Sequence, residues 1–158
     1  MTNNKNARKG FTLIEILVVV AIIAILASVV LIGLGPAQKA GRDARRISDL
    51  RQIQNGVELY FSHCGSYPYA AGGSVPAGCG LAGNFAAMDA LLKAGGFAQN
   101  VPNDPNPNKV YTYTPNADGS SYTLSAILED NGNPALGVNR TENTVACGPA
   151  NVTYCVSL

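Results

Sequence analysis

Residues 9–35 read KGFTLIEILVVVAIIAILASVVLIGLG, and from Phe11 to Gly35 the only ionisable side chain is Glu15. A helix of these residues would rise about 37 Å, at ~1.5 Å per residue, and the hydrocarbon core of a bilayer is about 30 Å thick. A carboxylate inside such a helix costs about 2.5–3.5 kcal/mol at the bilayer centre and less near an interface, so Glu15 requires a partner. The run therefore predicts a membrane-spanning helix with one charged residue near its beginning.

A conventional cleaved signal peptide is a poor explanation of this run. Such peptides have an apolar stretch of roughly 7–15 residues followed by a small-x-small cleavage site. Here the stretch is longer, and its terminal triplet Gly33-Leu34-Gly35 is followed by Pro36. Two interpretations remain: an uncleaved anchor whose Glu15 reaches the headgroups, or a chain cut between Gly10 and Phe11. In the second, the new amine of Phe11 neutralises Glu15 of the same or a neighbouring chain.

The chain beyond Pro36 predicts a second, amphipathic half of the same helix, ending at about residue 63. Apolar residues recur there at intervals of three and four, which is typical of one buried face: Ala40, Ala44, Ile47, Leu50, Ile53, Val57, Tyr60 and Phe61. The spacing of Asp43 with Arg46 and of Arg45 with Asp49 predicts ion pairs along the exposed face.

Gly33, Gly35 and Pro36 predict a break or kink between the two halves. Glycine costs about 1 kcal/mol at an interior helix position and proline about 3 kcal/mol. A break here would let the stem extend when the chain is pulled; a simple kink at the membrane boundary explains the same residues.

The remaining residues, 64–158, predict a small head. Asn84 is placed to cap a helix from Phe85 to Ala94 that Gly95 ends. Alternation from Val110 to Thr114 and from Tyr122 to Leu128, separated by turn residues, predicts an antiparallel hairpin. Val152–Val156 predicts another strand. The predicted fold class is α+β, a long helical stem packed against a small antiparallel sheet.

Composition excludes several classes of function. The length of 158 residues allows one ordinary domain, and a net charge of +1 argues against a dedicated nucleic-acid binder. The single histidine, His63, has no nearby nucleophile motif, and the carboxylates are scattered, so we do not expect an enzyme.

Four cysteines allow a disulfide framework with three pairings. The sequential one, Cys64 with Cys79 and Cys147 with Cys155, closes two short loops. A zinc site is disfavoured because there is no CxxC pair. Oxygen ligands in the turn Asp130–Asn133 lack the spacing of a full calcium loop, so a solvated turn is the favoured explanation and calcium the weaker one.

The residues Arg8-Lys9-Gly10-Phe11-Thr12-Leu13-Ile14-Glu15, followed by a long apolar run, resemble the class III signal of type IV pilins and type II secretion pseudopilins. The resemblance implies that a prepilin peptidase cuts after Gly10 on the cytoplasmic face and methylates Phe11. It also implies that Glu15 orients each incoming subunit by pairing with the Phe11 amine of a neighbour. The implied organisation is a leader at 1–10, an apolar helix at 11–35, an amphipathic half at 36–63 and a head at 64–158.

The resemblance implies a structural subunit of a type IV pilus, made in the inner membrane with its head outside the cytoplasm and assembled into an extracellular filament. Implied partners are copies of the chain, the prepilin peptidase, the assembly platform and motor ATPase, and the membrane before assembly; no nucleic acid is expected. Cys147–Cys155 resembles the C-terminal disulfide of type IV pilins, whereas pseudopilins more often rely on calcium there, and no cofactor is expected.

Three alternatives stay open: a pseudopilin of a type II secretion system, a minor pilin, and, from a different class, a membrane-anchored binding protein that does not polymerise.

Overall fold

The computed structural model describes residues 10–70 and 79–157. The chain divides into two compact units between Gln38 and Lys39. Helix α1, Leu13–Cys64, contributes to both units, and all the strands belong to the second. The predicted α+β fold, a long apolar helix with a small antiparallel sheet, is confirmed. The predicted leader, apart from Gly10, lies outside the described residues.

In the first unit, α1 is apolar on every side because its sequence has no polar stripe. The large apolar side chains described there are all exposed, from Leu13 at 83% to Leu34 at 43%. By length and composition the helix can cross a membrane. Such a surface is stable only in lipid or against other apolar surfaces.

Helix α1 runs through Gly33, Gly35 and Pro36 without the predicted break. The alternative, a kink at these residues, stays a prediction. An interior proline removes the hydrogen bond of its own N–H, and its ring crowds the carbonyl four residues earlier. The backbone hydrogen bonds on both sides remain, and they are sufficient to keep the residues helical despite the local cost.

In the second unit, residues 39–64 of α1 pack against a three-stranded antiparallel sheet. Its strands are β1 (Thr112–Pro115), β2 (Tyr122–Ile127) and β5 (Thr153–Ser157), in the order β1-β2-β5. Thr112 pairs with Ser125, and Ala126 pairs with Tyr154. The predicted hairpin and the C-terminal strand are thus confirmed, with bounds shifted by no more than two residues.

Helix α2, Phe85–Ala94, has the predicted bounds. The Oδ1 atom of Asn84 accepts a hydrogen bond from the backbone N–H of Ala87 at 2.9 Å, as an N-cap residue does. Sequence reasoning missed the hairpin of β3 (Arg140–Glu142) and β4 (Val145–Cys147), and the short 3₁₀ helix Pro134–Leu136. These elements have three residues each, too few to show a period.

The core between α1 and the sheet is rich in tyrosine, and three of the hydroxyl groups donate to carboxylates of the helix. Tyr67 and Tyr122 donate to Glu58 at 3.1 and 2.9 Å, and Tyr111 donates to Asp49 at 2.7 Å. Buried hydroxyl groups without partners are costly, so these bonds let large aromatic rings fill the core. The core contains Leu50, Ile53, Val57, Tyr60, Tyr67, Met88, Leu92, Val101, Tyr111, Tyr113, Tyr122, Leu124, Ala126, Leu128 and Tyr154.

Two disulfides close the head, Cys64–Cys79 at the end of α1 and Cys147–Cys155 between β4 and β5. Their loops span 15 and 8 residues. We expect replacement of either pair by serines to lower the free energy of unfolding by about 2–4 kcal/mol, since the unfolded chain regains loop entropy. Urea titration of the full chain in detergent micelles measures this, with the oxidised wild type as the reference. A double variant as stable as the oxidised wild type would contradict the expectation.

Candidate processing and assembly site

The peptide bond between Gly10 and Phe11 lies before the first turn of α1. Residues 10–12 are non-helical and exposed, and α1 begins at Leu13. A bond outside a helix has no intrahelical hydrogen bonds to break before a peptidase binds it in an extended form. The structure therefore places the predicted cleavage site in an accessible segment.

Thr12 and Glu15 form a reciprocal cap at the beginning of α1. The backbone N–H of Thr12 donates to Glu15 Oε2 at 2.7 Å, and its hydroxyl donates to the same oxygen at 2.9 Å. The backbone N–H of Glu15 donates to Thr12 Oγ1 at 3.3 Å. This arrangement is a capping box, in which a threonine and a glutamate three residues later bond to each other's backbone N–H. The sequence Thr12-Leu13-Ile14-Glu15 has the required spacing, but the sequence analysis did not predict the cap.

The cap gives Glu15 a partner inside its own chain. The carboxylate accepts two hydrogen bonds from Thr12, both at Oε2. Pairing of Glu15 with the Phe11 amine of a neighbour belongs to a cleaved chain, where Phe11 has a free amine, and it stays a prediction.

A group of five charged side chains, here called the ionic clamp, lies in the second unit, with its centre buried and Arg42 part-exposed. Its members are Arg42, Asp43, Arg46, Asp104 and Glu129. Arg46 donates through Nε and Nη2 to both oxygens of Asp104, at 2.8 and 2.9 Å. Its Nη1 donates to Asp43 at 2.7 Å and lies 3.0 Å from Glu129. Arg42 binds Glu129 through two bonds of 2.8 and 2.5 Å.

The clamp also satisfies backbone groups. Asp43 accepts from the backbone N–H of Glu129 at 2.9 Å and from that of Asp130 at 3.0 Å. The side chains of Arg46 and Asp43 are 0% exposed. A fully buried arginine is tolerated here because its donors are paired with carboxylates on several sides.

The prediction that Asp43 and Arg46 pair on the exposed face of α1 is wrong about the face. They share a face with Leu50, Ile53 and Val57, at spacings of three and four, and that face is covered by the head. In the other predicted pair, Arg45 Nε lies 3.7 Å from Asp49 Oδ2, and the arginine side chain is 62% exposed.

The clamp predicts sensitivity to acid. The hydrogen bonds from Arg42 lower the pKa of Glu129 to about 2. Burial raises the pKa of Asp104, but bonds from Arg46 and the backbone of Asn106 outweigh it and lower that pKa. Because both folded pKa values lie below those of the unfolded chain, the stabilisation is complete above about pH 4.5 and is lost as the pH falls toward 2.

We therefore expect the free energy of unfolding of the full chain in micelles to decrease between pH 5 and pH 2. Replacement of Glu129 by glutamine should make this decrease shallower, because the titrating carboxyl is gone. Urea titrations at several pH values measure the slope. Equal slopes for the wild type and the Glu129→Gln variant would contradict the assignment.

Calcium binding at the turn Asp130–Asn133, the weaker explanation of its oxygen ligands, stays a prediction. Glu129 is bound by two guanidinium groups, which would repel a cation. Asp130 accepts from the backbone of Gly132, and Asn133 accepts from that of Ala135. These bonds describe a structured turn. Another group, Glu142 with Cys147 and Cys155, has both of its sulfur atoms in a disulfide.

The N-terminal part of the chain matches a known motif. The family described as "Prokaryotic N-terminal methylation motif" matches residues 5–31. This range contains the candidate cleavage site and the capping box, and much of the apolar run.

The similarity also extends into the head. Type II secretion system core protein G of Escherichia coli (strain K12) is 31% identical over 125 residues, covering 75% of this chain and 81% of that protein. The chain belongs to the type IV pilin and pseudopilin family. Core protein G of Klebsiella pneumoniae is 33% identical over 104 residues, covering 62% of this chain and 69% of that protein. Core protein G of Aeromonas hydrophila is 26% identical over 137 residues, covering 79% and 86%. No solved structure matches the chain.

Membership of the pilin and pseudopilin family is what the motif and fold class predicted. The methylation motif and the apolar helix together indicate a membrane-anchored, pilin-like subunit. All three relatives carry the name of a type II secretion component, so the comparisons favour the pseudopilin alternative over the pilus subunit that was the main prediction.

Proposed function

We propose that this chain is a pseudopilin of a type II secretion system, a structural subunit rather than an enzyme. The single observation that carries the proposal is the 31% identity with a core protein G over 125 residues, which extends well beyond the N-terminal motif. The short motif is shared by pilins and pseudopilins alike, whereas similarity through the head favours one branch.

The proposed sequence of events begins with a precursor in the inner membrane whose head lies outside the cytoplasm. A prepilin peptidase hydrolyses the bond between Gly10 and Phe11 and methylates the new amine. The cleaved chains then leave the lipid and pack their apolar helices together, with Glu15 of one subunit beside the amine of another. The exposed apolar surface of α1 supports this step, because it requires lipid or copies of itself as a cover.

Intact-mass measurement and N-terminal sequencing of the membrane-extracted protein test the processing. We expect a chain that begins with N-methylated Phe11 and has no free thiol. A functional chain that still begins upstream of Gly10 would contradict the proposal and support a non-polymerising membrane-anchored binding protein.

A second experiment separates secretion from pilus formation. Deletion of this gene in its source organism should abolish release of exported proteins into the medium and leave surface pili unchanged. The specific observation that favours a pilus subunit as second candidate is the C-terminal disulfide, Cys147–Cys155. Loss of surface filaments with normal secretion would establish that candidate instead.

A further inference from the structure

The ionic clamp lies directly after the weakest part of α1. Gly33, Gly35, Pro36 and Gly41 are inside the helix, and glycine and proline are the two poorest helix formers. Asp43, two positions beyond Gly41, is 0% exposed. The helix therefore passes within one turn from its least stable sequence to its first fully buried attachment.

A single turn of α1 holds two distant segments of the head. Arg46 reaches Asp104, 58 residues away, and Asp43 reaches the backbone of Glu129, 86 residues away. Asp43 and Arg46 also bind each other at 2.7 Å, which requires their helical spacing of three.

Unwinding this turn would break every one of these contacts together. Asp43, Arg46 and Asp104 would lose these charged partners, which is costly because their side chains are no more than 1% exposed. The three residues of the second unit that precede Arg42, residues 39–41, are exposed, so their opening uncovers no buried side chain.

We propose that the ionic clamp is a stop for helix opening. When the stem is pulled, α1 opens between Gly33 and Gly41, and the opening ends at Asp43, so the head stays folded. That the stem is pulled at all rests on the proposed function, in which α1 holds the subunit in a filament. The resistance of the clamp to helix opening is a property of the single chain.

Hydrogen exchange of the uncut, oxidised full chain in detergent micelles tests this inference. Three segments are compared by mass spectrometry: residues 33–41, residues 44–52 and strand β2. In the wild type, we expect residues 33–41 to exchange at least tenfold faster than residues 44–52, and residues 44–52 to be protected like β2. Equal exchange of 33–41 and 44–52 would overturn the proposal.

Two variants and one control separate a local stop from general stability. Arg46→Met should raise the exchange rate of residues 44–52 relative to that of β2 by tenfold or more. The milder Arg42→Met should raise the same ratio by about threefold. Arg45→Met, on the exposed side of the same turn, should leave this ratio unchanged. A rise of the same size in both segments would mean that the clamp only stabilises the whole head, and it would overturn the stop.

If Arg46→Met fails to fold, the Arg42→Met result decides the matter alone, since that side chain is part-exposed and Arg46 keeps its other partners. Exchange is measured on single chains, so its outcome does not depend on filament assembly. A negative result in the secretion experiment would not contradict the proposed role of the clamp. A negative result in the exchange experiment would not contradict the proposed role in secretion.

Discussion

Replacement of Glu15 by valine is expected to reduce filament yield at least tenfold while membrane insertion and cleavage after Gly10 continue. In the packed apolar helices, the amine of Phe11 would lose its carboxylate partner and be left as a buried charge, which costs several kcal/mol. Each 1.4 kcal/mol corresponds to a tenfold change in an association constant. The yield is measured from cross-linked multimers, and insertion and cleavage from the membrane fraction.

The capping box makes it possible to separate the two roles of Glu15. Glutamine can still accept the bonds from Thr12, so Glu15→Gln keeps the cap and removes the charge. Thr12→Val removes the side-chain cap and keeps the charge, whereas Thr12→Ser preserves both. If the charge pair drives assembly, only Glu15→Gln should match the valine variant. A defect in Thr12→Val without one in Glu15→Gln would show that helix capping is responsible, and normal assembly of Glu15→Val would contradict the pairing mechanism.

Replacement of Arg46 by methionine should lower the free energy of unfolding by about 3–5 kcal/mol, the typical loss when one partner of a buried ion pair is removed. Methionine fills a similar volume, so the loss comes from Asp43, Asp104 and Glu129, which lose the guanidinium that binds them. Urea titration of the full chain in micelles at neutral pH measures the change.

Two further variants control this prediction. Arg51→Met replaces an exposed arginine of the same helix and should change the free energy by no more than about 0.5 kcal/mol. Arg46→Lys keeps the charge but cannot bind both oxygens of Asp104 in a fork, so it should also be destabilising. A loss below 1 kcal/mol in Arg46→Met would mean that the clamp contributes little net stability.

Several features of the fold were predictable because their signals lie in consecutive residues. The spacing of Leu50, Ile53 and Val57 predicts the buried face of α1, and Asn84 with Gly95 predicts both ends of α2. The alternation around Tyr113 and Leu124 predicts the paired strands. The capping box was present in the sequence as well, since Thr12 and Glu15 have the required spacing.

Other features could not be read from local patterns. β3 and β4 are short, and a triplet such as Arg140–Glu142 has no period from which to predict a strand. Helix α1 continues through Pro36 because the backbone hydrogen bonds on both sides outweigh the one that the proline removes, and this balance of free energies has no local sequence pattern.

The sequence by itself determined the apolar helix, the N-terminal processing motif and the α+β class, because each depends on hydropathy or spacing within a single segment. Only the tertiary structure decided that Asp43 and Arg46 are buried rather than solvated. Their partners, Asp104 and Glu129, come from segments 58 and 86 residues away, and a charged residue becomes tolerable in a core only when such partners surround it.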